Sequence, residues 1–171
     1  RSTRLSSAGL IYRHFGAEVL AVVAAAVAPD THAFGRVDSW ALYRRVYRGF
    51  VEHIDGIDNG VEARDGKKNY EVPSTLSSRV SMLNPRWNEP AGAAESNRRF
   101  RAAMELVGSE FVAAVDEAVN SWWPARSTVA SAIDAAEGSR EVLELSRPCP
   151  WPTHLFELEQ ERAAAGDRDV V

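Results

Sequence analysis

The sequence has little cysteine, little net charge and no long apolar run. Its one cysteine among 171 residues, Cys149, excludes an internal disulfide and a cysteine-based zinc cluster, and this usage fits a reducing compartment inside the cell. The formal net charge is −4, so any contact with nucleic acid must come from a local basic patch. The longest apolar run, residues 19–28, is too short to span a bilayer. We therefore expect no membrane partner and interpret this run as part of a buried helix.

What the sequence does contain is a succession of helical patterns. Apolar residues make up 45% and charged residues 26% of the chain, which is ordinary for a globular domain with a sizeable core. Apolar side chains recur at intervals of three and four residues, the period of a helix with one buried face. The predicted helices cover residues 5–27, 38–58 and 95–122, with shorter helices after Pro73 and from Pro124 and a last helix from Thr153.

Strand is predicted at one place at most. Residues 140–145 could form a short strand, because turn residues bound their apolar side chains, although a helix remains open. The fold class that we expect is therefore mainly α, a multi-helix bundle with at most one or two short strands. The pattern predicts a single helical domain over residues 1–160 and a frayed, charged tail over residues 161–171.

The first predicted helix begins at two serines, Ser6 and Ser7. Backbone N–H groups and hydroxyls at a helix start suit a phosphate or a carboxylate. A plain helix cap explains the same two residues equally well. Both interpretations stay open on the sequence alone.

Two carboxylates near the end of the second predicted helix, Asp55 and Asp58, form the first candidate site. They are three residues apart, and Asp58 lies at the edge of the apolar stripe, so both can point toward one spot. Carboxylates are costly to bury unless a positive group meets them, and a divalent cation is one such group. The alternative is that residues 58–60 only end the helix.

A second candidate site follows at the start of the short helix predicted after Pro73. Ser77, Ser78 and Arg79 combine hydroxyls, a helix N-terminus and a guanidinium, which together would hold an oxyanion such as a phosphodiester. Arg86 and Trp87 in the next loop add a second guanidinium and a stacking surface, as single-stranded nucleic acid requires. The commoner alternative is a buried tryptophan beside a solvated arginine.

Five separated segments of the sequence occur in the order and spacing of one protein family. On these segments the chain resembles the melanocyte-proliferating-gene family, which is similar to a branch of the DHH phosphoesterase superfamily. The resemblance extends over the chain to about residue 160. The five segments are residues 4–12, 50–60, 74–80, 83–88 and 149–155.

The resemblance implies a metal-dependent nuclease, a 3'-to-5' exonuclease that hydrolyses RNA, with mitochondrial and nuclear locations. It implies two divalent cations, manganese or magnesium, which would hold the scissile phosphate and generate hydroxide from bound water. Asp58 would be a catalytic metal ligand, and Asp55 a second ligand or its orienting partner. The serine and arginine cluster would then hold the backbone of single-stranded RNA, while Trp87 stacks a base.

The resemblance also implies that this chain is the helical middle part of a longer α/β phosphoesterase. The Asp-His-His signature of the superfamily and other upstream motifs would lie before residue 1. The fragment would then hold only a fraction of the metal ligands and would not hydrolyse substrate alone. Two alternatives remain open, a small-molecule phosphohydrolase acting on pyrophosphate or short nucleotides, and a non-catalytic helical module that binds protein partners.

Overall fold

The computed structural model describes residues 3–28, 37–61, 72–136 and 142–166, and every regular element within these ranges is helical. The mainly α expectation is confirmed for this part of the chain. In chain order the α-helices are α1 (Ser7–Val27), α2 (Ser39–Val46), α3 (Glu52–Asp58), α4 (Leu76–Leu83), α5 (Ala93–Glu117), α6 (Trp123–Ala135) and α7 (Trp151–Gly166).

Three helices begin where the sequence supplies a capping side chain. The Ser6 hydroxyl caps α1, the Asp38 carboxylate caps α2 and the Thr75 hydroxyl caps α4, each by accepting a backbone N–H of the first turn. The fourth helix ends at Leu83 because the next residue, Asn84, precedes a proline and adopts an extended conformation. Local side-chain chemistry therefore fixes these ends.

Two π-helical segments interrupt the long helices. Tyr47–Val51 joins α2 to α3, and Ala118–Trp122 joins α5 to α6, so each pair forms one continuous helix. A π segment accommodates one extra residue, which turns the following helix by about 100° relative to a regular α-helix. The helix predicted over residues 38–58 is thus confirmed in extent, but its buried face changes along its length.

The first π segment decides which side of α3 is buried. In α2 the buried face carries Leu42 and Val46, four residues apart. The next residues on this face are Val51, five positions later at the end of the π segment, and then Asp55 in α3. By contrast, Ile57, which a regular helical period places on the buried face, is 44% exposed. The extra residue therefore brings the carboxylate of Asp55 into the interior.

The main core lies where α1, α2 and α5 meet. The rings of Tyr12 and Tyr43 lie 4.6 Å apart, and the Tyr12 hydroxyl donates to the Tyr43 carbonyl at 2.9 Å. Gly16 permits this approach, because a Cβ there would lie 3.0 Å from both rings. The buried apolar residues of this core are Tyr12, Leu20, Ala28, Leu42, Val46, Val51, Val115, Ala118 and Val119.

The C-terminal helices α6 and α7 pack on one another around a buried cation. Arg126 on α6 forms ion pairs with Glu161 at 2.5 Å and with Glu157 at 3.6 Å, both on α7. Its guanidinium lies 5.4 Å from the ring centroid of Trp122, and that of Arg45 on α2 lies 5.6 Å from the same ring. Two cations on one indole therefore link the C-terminal helices to α2.

The first helix is more exposed than its sequence predicts. It buries a narrow face that carries Tyr12 and Leu20, while Ile11 and Val22 are 60% and 71% exposed. The interpretation of residues 19–28 as part of a buried helix therefore holds for one face only, because little of the described chain covers the other faces. Within the described ranges α1 is also the one helix long and apolar enough to cross a membrane. This is weak evidence, because core helices of soluble proteins satisfy the same criterion.

Two further differences concern the C-terminal part. Residues 142–145 form no strand, because the described ranges contain no second strand with which they could pair. The remainder of that predicted strand, residues 140–141, lies outside the described residues. The last helix continues to Gly166, so residues 161–166 of the expected frayed tail are helical, and the rest of that tail lies outside the described residues as well.

Candidate functional site

A buried carboxylate, that of Asp55, ties α3 to the N-terminus of α1. Asp55 is 0% exposed. Its Oδ1 accepts hydrogen bonds from the Ser6 backbone N–H at 2.9 Å and from the Ser6 hydroxyl at 2.6 Å. Its Oδ2 accepts a hydrogen bond from the Tyr47 hydroxyl at 2.9 Å. Both oxygens of the buried anion are therefore paired with donors.

Gly9 gives the carboxylate its space in the first turn of α1. A Cβ at this position would lie 2.4 Å from both carboxylate oxygens of Asp55, a distance that no real Cβ tolerates. The Gly9 backbone N–H donates to the Ser6 hydroxyl at 3.3 Å, while this hydroxyl donates to the carboxylate. Ser6 therefore caps α1, as the plain-cap interpretation expects, and the carboxylate at this helix start is that of Asp55.

The hydrogen bonds hold Asp55 in its ionised form. Burial acts to raise the pKa of Asp55, but the hydrogen bonds from the Ser6 side chain, the Ser6 backbone and Tyr47 outweigh burial and leave this pKa below its ordinary value. Burial, and after it the hydrogen bond to Asp55, raises the pKa of Tyr47 to about 12. At neutral pH the pair is therefore a carboxylate anion and a neutral phenol.

The surroundings of Asp55 do not fit a metal ligand. A carboxylate binds a divalent cation through its oxygen lone pairs, and here these accept N–H and O–H donors from Ser6 and Tyr47. Within the ranges that the structure describes, no three or more histidine, cysteine, aspartate or glutamate side chains are grouped so that they could hold a metal. The contacts of Asp55 show a structural role, the anchoring of α1 on α3. Its catalytic and metal-binding role stays a prediction that these contacts do not support.

The second carboxylate of the predicted pair, Asp58, lies on the exposed side of α3. The expectation that Asp55 and Asp58 point toward one buried spot is wrong, because the π segment before α3 turns Asp55 inward and leaves Asp58 in solvent. The helix does end here, as the alternative expects, with Asn59 as its C-cap and Gly60 at a φ of 66°. Asp58 as a metal ligand stays a prediction, and it would need ligands beyond the described residues.

The serine and arginine cluster lies at the N-terminus of α4. The Ser78 backbone N–H donates to the Thr75 hydroxyl at 3.2 Å, and the Ser78 hydroxyl lies 2.8 Å from the same oxygen. The Ser77 hydroxyl lies 3.4 Å from it. Arg79 forms an ion pair with Glu110 on α5, which neutralises part of its charge. The Thr75 hydroxyl thus contacts both serine hydroxyls at the start of α4, while the oxyanion-binding role of the cluster stays a prediction.

Trp87 is the most exposed aromatic side chain in the described residues, at 97%. It lies in the turn between α4 and α5, next to Arg86, which is also exposed. The turn is held by two hydrogen bonds, from the Arg86 backbone N–H to the Glu89 carboxylate at 3.2 Å and from the Glu89 N–H to the Arg86 carbonyl at 3.0 Å. An ion pair between Glu89 and Arg99, which lies on α5, holds the turn against that helix. The alternative of a buried tryptophan is therefore wrong, and the indole is presented to solvent from a fixed turn.

The two candidate sites predicted from the sequence lie on different pairs of helices. Asp55 and Asp58 belong to α3, which packs on α1, whereas residues 77–79 belong to α4, which packs on α5. Between these pairs lies an apolar groove of about 680 Å³, which Ile54 and Val80 help to line. Apolar surface therefore separates the acidic residues from the serine and arginine cluster.

Tyr47 is the residue of this region that the sequence reasoning missed. The helical period placed it on the apolar stripe, and in a regular helix its direction differs from that of Asp55 by about 80°. The π segment that begins at Tyr47 brings the two side chains together. The one available signal was chemical, since a tyrosine on a buried face requires a partner for its hydroxyl.

Replacing Asp55 with alanine should destabilise the fold strongly. The change leaves two buried donors of Ser6 and the part-buried hydroxyl of Tyr47 without their acceptor, and each unpaired buried donor costs about 1–3 kcal/mol. We expect the free energy of unfolding at pH 7, measured by urea denaturation, to fall by about 3 kcal/mol or more. The matched change Asp58→Ala at an exposed position should stay within about 0.5 kcal/mol. Equal effects of the two changes would contradict the structural role.

The same difference should depend on pH. Because folding holds the pKa of Asp55 below its ordinary value, the ionised carboxylate stabilises the protein fully above about pH 4, the range of the unfolded-state pKa. This contribution is lost as the pH falls through the lowered folded-state pKa. The gap in unfolding free energy between the wild type and Asp55→Ala should therefore shrink on acidification, and a gap that widens would show that the carboxylate is not stabilised by folding.

Gly9→Ala should destabilise the protein, although alanine is the better helix former. In a helix interior this exchange normally stabilises by about 1 kcal/mol, but here the new Cβ meets the carboxylate of Asp55. Gly108→Ala on α5 is the matched control, since a Cβ there has nothing within 4 Å. Thermal denaturation followed by circular dichroism should give opposite signs, with a lower Tm for Gly9→Ala and a higher Tm for Gly108→Ala. A higher Tm for both would contradict the close approach at Gly9.

Known proteins that match this chain agree on one family. The model of the MYG1 exonuclease family, described as Uncharacterised protein family (UPF0160), matches residues 1–170. The chain is 39% identical to the MYG1 protein C27H6.8 of Caenorhabditis elegans, over 96% of this chain and 47% of that protein. It is 41% identical to the MYG1 exonuclease of Bos taurus, over 96% of this chain and 42% of that protein. It is 40% identical to the MYG1 exonuclease of Homo sapiens, over 92% of this chain and 41% of that protein. No solved structure matches the chain significantly.

The match covers nearly all of this chain but less than half of each of these relatives. It confirms the family resemblance found in the five sequence segments. The wider DHH superfamily and the position as a middle fragment stay predictions. The chain belongs to the MYG1 exonuclease family.

Proposed function

We propose that this chain is part of a metal-dependent 3'-to-5' exonuclease that acts on RNA. The observation that carries the proposal is the family, since the bovine and human relatives bear the name MYG1 exonuclease. Because the chain spans less than half of these relatives, the activity is proposed for the whole protein. A mitochondrial or nuclear location is part of the same proposal and rests on the family resemblance.

In this proposal the chain contributes a surface for single-stranded RNA. The indole of Trp87 is almost fully exposed on a turn held by Glu89, so it can stack on a base without rearrangement of the backbone. Arg86 beside it supplies a guanidinium for a phosphate. Ser77 and Ser78 at the start of α4 add hydroxyls at a helix N-terminus. Because stacking does not read the base edges, this surface would bind single-stranded RNA without a sequence preference.

The metal in this proposal, manganese or magnesium, would activate water and stabilise the charge of the reacting phosphate. The described residues hold no group of ligands for it, and Asp55 is engaged in hydrogen bonds. Most ligands of the metal would therefore come from residues beyond the described ones. Of the predicted pair, the exposed Asp58 is the one candidate that could join them. Held in this way, the metal would lie outside the interior that Asp55 occupies.

Trp87→Ala should weaken the binding of single-stranded RNA. Base stacking on an aromatic side chain is worth about 1–3 kcal/mol per base, so we expect the Kd for a short labelled RNA to rise by roughly 5- to 150-fold. Fluorescence anisotropy at fixed salt measures this change. Trp151→Ala, at a 46% exposed tryptophan on α7, is the matched control and should leave the Kd within about twofold. Unchanged affinity of Trp87→Ala would remove Trp87 from the proposed surface.

The chain by itself should release no nucleotides from a short RNA in the presence of Mn²⁺, whereas a full-length relative should do so. The physical reason is the missing group of metal ligands within the described residues. Chromatography of the reaction products checks both proteins. Manganese-dependent turnover by this chain that is lost in Asp58→Ala would show a metal site of its own and contradict the expectation. Hydrolysis of pyrophosphate but not of RNA by the relative would favour the small-molecule phosphohydrolase instead.

A further inference from the structure

An apolar groove runs between α1 and α5 on the surface of the helical bundle. Its volume is about 680 Å³, and it is open to solvent along its length. Helices α1, α3, α4 and α5 and the π segment before α3 all contribute to its lining. The large apolar side chains that define it are Ile11, Phe50, Ile54, Phe100, Met104 and Phe111.

Several large apolar side chains that line the groove are exposed to solvent. Ile11 is 60% exposed, Phe100 67%, Met104 58% and Val19 42%, and all four line the same depression. Contiguous apolar surface of this kind on a soluble protein marks an interaction site. We therefore ask what covers it.

The chemistry of the lining limits the occupant. Among the residues that the structure describes, no charged side chain lines the groove, so it offers no partner for a phosphate and does not suit RNA. An interface without charged residues at its centre is typical of permanent contacts, in which apolar anchors fill a groove and stay there. The matching element is an amphipathic helix or a sheet face with apolar side chains.

The length of the relatives indicates where such an element resides. The nematode, bovine and human proteins each carry more than half of their length outside the span that this chain matches. We infer that the groove is the docking face for that other part of a MYG1 family protein, which inserts an apolar element between α1 and α5. The exposed face of α1, which the sequence predicts to be buried, is explained in the same way.

Two other occupants fit less well. A membrane would have to accept Arg13 and Glu18, which are exposed charged residues within the 21 residues of α1. A second copy of this chain would leave the additional length of the relatives without a partner surface here. Both remain outcomes of the experiment below.

The test compares cysteine labelling in this chain and in the full-length nematode relative. In a Cys149→Ser background, Met104→Cys lies in the groove, and Met82→Cys, on α4 at 71% exposure, lies outside it. Both should react with a maleimide at similar rates in this chain. In the relative, the cysteine aligned with Met104 should react at least about tenfold more slowly than in this chain, while the one aligned with Met82 stays within about threefold. Ile11→Cys in the groove, again with Met82→Cys as its control, repeats the comparison from α1 if a Met104 variant fails to fold.

Four results would overturn the inference. The groove cysteine could react equally fast in both proteins, or both positions could be slowed equally in the relative. Protection in the relative that disappears on dilution to the monomer, followed by analytical ultracentrifugation, would assign the groove to a second copy. Protection of either protein that requires lipid vesicles would assign it to a membrane.

Discussion

The pairing of the Asp55 carboxylate with the N-terminus of α1 is the contact on which the arrangement of the helices depends. A buried anion is tolerated only where donors surround it, and here Ser6 and Tyr47 supply them from two helical segments. The contact joins positions 49 residues apart in sequence, so it fixes how α3 lies against α1. The pair of Tyr12 and Tyr43 then joins α1 to α2 through a ring contact and a hydrogen bond.

The helices could be predicted from the sequence, and the orientation of their faces could not. Apolar spacing and the caps at Ser6, Asp38 and Thr75 depend on neighbouring residues only, and they locate the helices. The π segment at Tyr47–Val51 depends on tertiary packing, and one added residue moves the buried face from the predicted stripe to Val51 and Asp55. The predicted extent was therefore right while the predicted pairing of two carboxylates was wrong.

The same division applies to the candidate sites. The serine and arginine cluster is formed within α4 and the adjoining turn, so short-range sequence was sufficient to assemble it. Whether Trp87 is buried or exposed depends on what packs over the turn, and the sequence alone favoured burial. The exposure of α1 has the same origin. Its strongly apolar composition predicts that its faces are buried but does not indicate which residues bury them. Local chemistry was thus readable, and the covering surfaces were not.

The glycine in the first turn of α1 has a consequence for comparing family members. Its backbone angles are helical, so the local conformation does not require glycine. The requirement for glycine comes from the Asp55 carboxylate packed against it. A relative that carries any bulkier residue at position 9 must therefore shorten the side chain at position 55 or displace it. These two positions are expected to change together across the family or not at all.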